Sequence, residues 1–131
     1  MKYIIMPFLA CIVAGVVKYS INYIRFGNKA NKLIGYGGFP STHTTIISSV
    51  VFLYGFSNGF ENGIFSMGLG FLLITVIDAH GLRKKVGEQA KIINSITKNT
   101  KLREKMGHTW FEIFGGLCLG IILAFCMEIF S

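Results

Sequence analysis

Charge is scarce in this chain: Asp, Glu, Lys and Arg make up only 15% of its 131 residues, against 52% hydrophobic residues. A soluble domain of this length needs more polar side chains to cover its surface, so the scarcity argues for a membrane protein. Metal-binding and disulfide spacing is lacking as well. Cys11, Cys118 and Cys126 sit inside apolar runs, with neither Cys-x-x-Cys nor His-Cys spacing, and read as small buried hydrophobes. There is no internal repeat and no low-complexity tract. The net charge of +7 would ordinarily raise nucleic-acid binding. Here the cations fall in two loops instead of spreading over a soluble surface, and no nucleic acid is expected.

Four apolar segments are present: Tyr3 to Val17, Thr44 to Phe56, Ile64 to Ile77 and Ile113 to Met127. None reaches the roughly 20 residues that a hydrocarbon core demands, so each must borrow flanking positions or sit in thinned lipid. They are apolar on every face rather than striped, which favours lipid over a half-wet bundle. The expected fold is therefore all-α, one membrane-embedded domain over residues 1–131 with about four transmembrane helices. Lys2 and the run behind it resemble a signal sequence, but cleavage near Cys11 would leave a very short leader, and the run is read as a retained helix.

The connections differ in charge. Lys18 to Gly38 and Gly81 to Gly107 hold every Lys and Arg except Lys2, whereas the turn from Ser57 to Gly63 has none. The positive-inside tendency puts both basic loops in the cytoplasm and both termini outside. Lys91 to Lys105 reads as an interfacial loop or short amphipathic helix against anionic headgroups. Gly116 and Gly120, at Gly-x-x-x-Gly spacing, offer close packing inside the bundle or a homo-oligomer contact.

The stretch from Gly37 to His43 combines a flexible turn, a proline suited to a first helical turn, capping hydroxyls at Ser41 and Thr42, and a histidine. Such a helix start attracts anions, and His43 would stand beside one as a proton donor. Lys18 and Arg25, seven residues apart, share one face of a continuing helix. They either hold different oxygens of one anion or snorkel to the headgroups. His108 with Glu112 four residues on is an imidazole with a carboxylate to fix its tautomer, or a plain interfacial pair. Asp78 ends the third span and needs a partner such as Arg83. Asp78 with Glu88 is the alternative of a divalent-metal site.

Lys18-x6-Arg25, Pro40-Ser41-Thr42-His43 and Arg103-x4-His108-x3-Glu112 resemble, in order, the three phosphate-binding motifs of the type 2 phosphatidic acid phosphatase superfamily. Gly-Gly-Phe-Pro-Ser-Thr-His-Thr, Asp78 through Gln89 and Gly107 through Glu112 are similar to its divergent branch, small membrane proteins related to acid phosphatases and vanadium haloperoxidases. The chain departs from the usual pattern at Phe26, Thr42 and Glu112 and in the spacing from Arg103 to His108.

The resemblance implies a membrane lipid phosphatase that needs no cofactor and no metal. Its substrate would be phosphatidylglycerol phosphate, phosphatidate or a prenyl (di)phosphate, and its address the plasma membrane with the site on the cytoplasmic side. His108 would attack phosphorus, Glu112 hold its ring and His43 protonate the leaving group. Lys18, Arg25, Gly38, Ser41, Thr42 and one of Arg83 or Arg103 would bind the phosphate, with Asp78 in support. The rival readings are a non-catalytic binder of anionic lipid and a metal-dependent phosphatase using Asp78 and Glu88. A transporter has little room in four short spans.

Overall fold

The computed structural model describes residues 1–33, 38–97 and 101–131, with residues 31–33 described by their backbone alone. Gly37 lies outside the described residues. Helices make up the fold: α1 (Lys2–Phe26) with a 3₁₀ extension (Gly27–Leu33), α2 (Thr42–Asn58), α3 (Gly63–Ile77), a π-helical turn (Asp78–Leu82), α4 (Arg83–Ile96) and α5 (Trp110–Phe130). The stretches Lys2–Ala30, Gly63–Ile96 and Trp110–Phe130 are long and apolar enough to cross a membrane. The protein is an all-α membrane bundle.

The second apolar segment, Thr44 to Phe56, takes a different role. Helix α2 has 17 residues, about 25 Å at 1.5 Å per residue, and lies at the centre, packed on α1, α3 and α5. Its neighbours, more than lipid, form its surroundings. It is not apolar on every face: Ser41, Thr44, Thr45, Ser48 and Ser49 are fully buried around its first half. Small hydroxyl side chains allow close helix approach, provided their own polarity is satisfied. Here they bond back along the helix, Thr45 Oγ1 to the Ser41 carbonyl at 2.9 Å and Ser48 Oγ to the Thr44 carbonyl at 2.6 Å. Among the described residues no buried side-chain nitrogen or oxygen lacks a partner.

The opposing surface is the glycine face of α5. A Cβ on Gly116 would meet the Ser41 carbonyl and Thr44, and one on Gly120 would meet the Ser48 hydroxyl and the Thr45 carbonyl. Gly116 and Gly120 are therefore covered by α2 of the same chain, so of the two roles open to their spacing this face serves packing inside the bundle. Further along, Met6, Leu53 and Ala124 close the core between α1, α2 and α5. The cysteines also depart from expectation, since Cys11 and Cys126 are exposed and Cys118 is half-buried. In lipid an apolar thiol has no need of the interior.

The two ends of the bundle differ. At one, Lys2 Nζ donates to Glu128 at 2.8 Å, the Ser57 hydroxyl donates to the same carboxylate, and Asn58 donates to Tyr3 at 2.8 Å. These contacts tie the start of α1 to the ends of α2 and α5. At the other end Lys18 reaches the start of α2, and the π turn meets the loop before α5. The described parts of both basic segments therefore gather at one end, as their shared charge suggested. Of the loop or short amphipathic helix expected from Lys91, the part as far as Ile96 is helical, because α4 continues α3 through the π turn.

Candidate active site

Sequence expectation placed Pro40 in the first turn of a helix. In the structure the Phe39–Pro40 peptide is cis, Pro40 is buried and Ser41 is the N-cap, so α2 starts at Thr42. Gly38, at a φ of 150° that favours glycine, leads into this turn. Phe39 stacks on Phe111 at 5.1 Å and lies over Gly115, where a Cβ would strike its ring. The turn is thereby pressed against the beginning of α5. Ser41 completes the joint: its N–H donates to the Glu112 carbonyl at 2.9 Å, and its hydroxyl pairs with Thr44 Oγ1 at 2.9 Å. Fully buried and so engaged, Ser41 is a strut between helices and does not present its hydroxyl to a ligand. That departs from its expected place among the phosphate ligands.

Glu112 is the hub of the opposite wall. Thr109 and Glu112 form a reciprocal capping box, in which Glu112 Oε2 accepts the Thr109 N–H at 2.9 Å. The same oxygen lies 3.2 Å from His108 Nδ1. One carboxylate thus starts the helix and fixes the imidazole, leaving Nε2 as the other nitrogen. The loop is fixed as well, since the His108 N–H donates to the Ala79 carbonyl at 2.9 Å inside the π turn. Gly107 makes this approach feasible: its φ is 84°, and a Cβ would come within 3.0 Å of the Ala79 carbonyl and the Lys84 N–H.

Burial of the His108 side chain, only 8% exposed, pushes its pKa below the ordinary imidazole value. The bond and the charge of Glu112 oppose that, while Lys18 and Arg83 add to it. The balance is a neutral imidazole at neutral pH, the form in which a nucleophile must stand.

Cations arrive from two sides. Lys18 Nζ donates to Thr42 Oγ1 at 3.0 Å, and Glu112 and Arg103 lie close enough to act on its charge. Arg83 Nε donates to Asp78 Oδ2 at 2.5 Å, which gives Asp78 the partner its position demands. His43 stands between these groups, within electrostatic reach of Arg83, His108, Lys18 and Asp78. A crevice of about 290 Å³ opens beside it, lined by His43, Asp78 and Arg83 at one end and by Ile46, Ile47, Ile74 and Thr75 beyond.

The structure thus brings together Lys18, Thr42, His43, Asp78, Arg83, His108 and Glu112, with Arg103 beside Lys18. Arg103 is exposed and donates to the Lys105 carbonyl at 3.2 Å. Arg25 lies exposed two turns beyond Lys18 and is not joined to the cluster by any contact with the described residues. The alternative acidic pair is not assembled, because Asp78 is held by Arg83 and Glu88 by Lys85 at 2.8 Å. Among the described residues no three His, Cys, Asp or Glu side chains converge.

One residue was missed. His80, in the π turn, stacks on Trp110 at 4.4 Å, and its Nδ1 lies 3.2 Å from the His108 carbonyl. It holds both sides of the His108 backbone in place together with Ala79. Its position just after Asp78, at the end of an apolar run where a titratable group needs a partner or a purpose, was a signal that could have singled it out.

Comparison with known proteins agrees with this architecture. The chain matches the model of the family described as "Divergent PAP2 family" over residues 1–123. It is 29% identical to "Uncharacterized membrane protein YuiD" of Bacillus subtilis (strain 168) over 142 aligned positions, which cover 92% of this chain and 90% of that protein. No solved structure matches it. With nearly its whole length inside the family model, and its site built at one end of a membrane bundle, the chain belongs to the divergent PAP2 family.

Proposed function

We propose that the protein is a membrane lipid phosphatase that removes phosphate from a lipid phosphate or diphosphate through a phosphohistidine on His108. The observation that supports this reading is the His108–Glu112 pair within electrostatic reach of His43, Lys18 and Arg83. Nδ1 of His108 is engaged by Glu112, so Nε2 attacks phosphorus. The Nε2–P bond forms as the bond from phosphorus to the leaving oxygen breaks, and His43 delivers its proton to that oxygen. Water then attacks the phosphohistidine, His43 takes up its proton, and inorganic phosphate leaves.

Lys18, Arg83 and Arg103, with backbone amides near Gly38, neutralise the charge that spreads over the equatorial oxygens, a term usually large in such reactions. Asp78 orients Arg83. Thr42 stands in the phosphate site as the hydroxyl to which Lys18 is bonded. The reaction takes place at the cytoplasmic face of the plasma membrane, where the basic loops would lie.

The test is release of inorganic phosphate from phosphatidylglycerol phosphate, phosphatidate and prenyl (di)phosphates by purified protein in detergent with chelator present. His108→Ala and His43→Ala are expected to lose activity, and full activity in both sinks these roles. A non-catalytic lipid binder would retain lipid phosphate in the same assay and release none. A metal-dependent enzyme would be silenced by chelator and restored by a divalent ion.

A further inference from the structure

We propose that the crevice between α2 and α3 is a tail subsite, and that the substrate is a phosphate or diphosphate carried directly on one hydrocarbon chain, such as a long-chain alkyl or isoprenoid phosphate, and not a diacylglycerol phosphate. This rests on the phosphatase reading and sharpens it.

The two helices are in close contact at their far end and part near the site. Gly55 is covered by the rings of Phe60 and Phe65, and Gly68 by Val51. No glycine seat continues this packing toward the site, and the crevice of about 290 Å³ opens there. Helix α3 packs chiefly on α2, and Ile74 is 65% exposed, so the crevice has an open flank toward lipid. Its volume equals about ten waters. That is room for a segment of one hydrocarbon chain.

The chemistry of its wall changes within one helical turn. Ile46 and Ile47 follow His43 by one turn of α2, and Ile74 precedes Asp78 by one turn of α3. A phosphate held by His43 and Arg83 therefore meets apolar wall about 5 Å away. A diacylglycerol phosphate would place its glycerol and ester oxygens at that depth. Thr75 is the one polar side chain of the wall beyond the site, and its hydroxyl already donates to the Phe71 carbonyl at 2.8 Å. The esters would be desolvated without a donor, which is unfavourable. A chain joined directly to the phosphate meets no such penalty.

The experiment is photocrosslinking of the full-length protein in lipid nanodiscs with a hydrolysis-inert alkyl phosphonate that carries a diazirine a few carbons from phosphorus. Adducts are expected on peptides containing Ile46 and Ile47 or Ile74 and Thr75. An unlabelled dodecyl or isoprenoid phosphate is expected to compete at least tenfold better than dioleoyl phosphatidate. Ile47→Trp, which fills the crevice, is expected to abolish these adducts; Ile74→Trp, from the opposite and more exposed wall, repeats the test should the first variant not fold. Adducts confined to outward residues of α1 or α5, adducts that persist in a folded Trp variant, or equal competition by phosphatidate would overturn the proposal. Because the probe is not hydrolysed, labelling of the crevice by a protein that releases no phosphate would fault the phosphatase reading and leave the subsite intact.

Discussion

Replacing Glu112 by Gln isolates the electrostatic part of the His108 site from its architecture. Gln keeps the length and the hydrogen-bonding capacity that the Thr109 capping box uses, so the start of α5 and its bond to Ser41 should survive. What is removed is a negative charge whose oxygen lies 3.2 Å from His108 Nδ1. A full charge at 4 Å is worth about 4 kcal/mol at an effective dielectric near 20. The carboxylate is partly exposed and the amide retains some of the bond, so about half or less of that figure should be lost. Its loss lowers the His108 pKa further, because the charge that favours the protonated ring is gone.

The assay needs no substrate. The chain has three histidines, His43, His80 and His108, and an imidazole NMR titration in micelles can be assigned by single substitutions. Wild-type His108 is expected to titrate below the usual 6.5, because burial outweighs Glu112. In Glu112→Gln it should fall further. An unshifted or raised value would refute the reasoning.

The sign carries over to stability. A folded-state pKa below the unfolded value means that the unfolded chain binds the proton more readily, so the His108 contribution is complete above 6.5 and is lost as pH falls through the folded value.

Two further outcomes follow from packing. Gly120→Ala puts a methyl group against the Thr45 carbonyl at 2.7 Å and the Ser49 N–H at 2.9 Å, and overpacking of that kind should cost about 1–3 kcal/mol in a mixed-micelle unfolding titration; a change within error would show that α2 and α5 are not in contact there. His80→Ala should lower kcat about tenfold or more by loosening the His108 loop, as misplacement of a reacting group does, with KM little changed. His80→Phe should restore part of the loss by keeping the stack on Trp110, whereas a pure KM effect would argue that His80 touches substrate.

Much of the fold was legible because lipid imposes long apolar helices, and the four segments were visible as such. The centrality of α2 was not, since a helix covered by its own neighbours uses small hydroxyl residues, and the segment that holds Thr44, Thr45, Ser48 and Ser49 read as apolar on every face. The same seam hid the use of Gly116 and Gly120, whose spacing does not say which helix faces them. At the site, i,i+4 spacing correctly joined His108 to Glu112. The burial of Ser41 was not legible because it depends on Thr44 and on Glu112, a residue distant in sequence. Arg25 shares a helical face with Lys18, but two turns carry it beyond the cluster. His80 escaped notice because its role is created by contact with the His108 loop and Trp110, which periodicity does not reveal.

The central claim is that His108 becomes the phosphate carrier. The most direct measurement is trapping of the phosphoenzyme from a radiolabelled lipid phosphate by rapid quenching in alkali, which preserves phosphohistidine. The account predicts an alkali-stable, acid-labile label on wild-type protein that is absent from His108→Ala. Phosphate release without any such label, or a label that remains in His108→Ala, would contradict it.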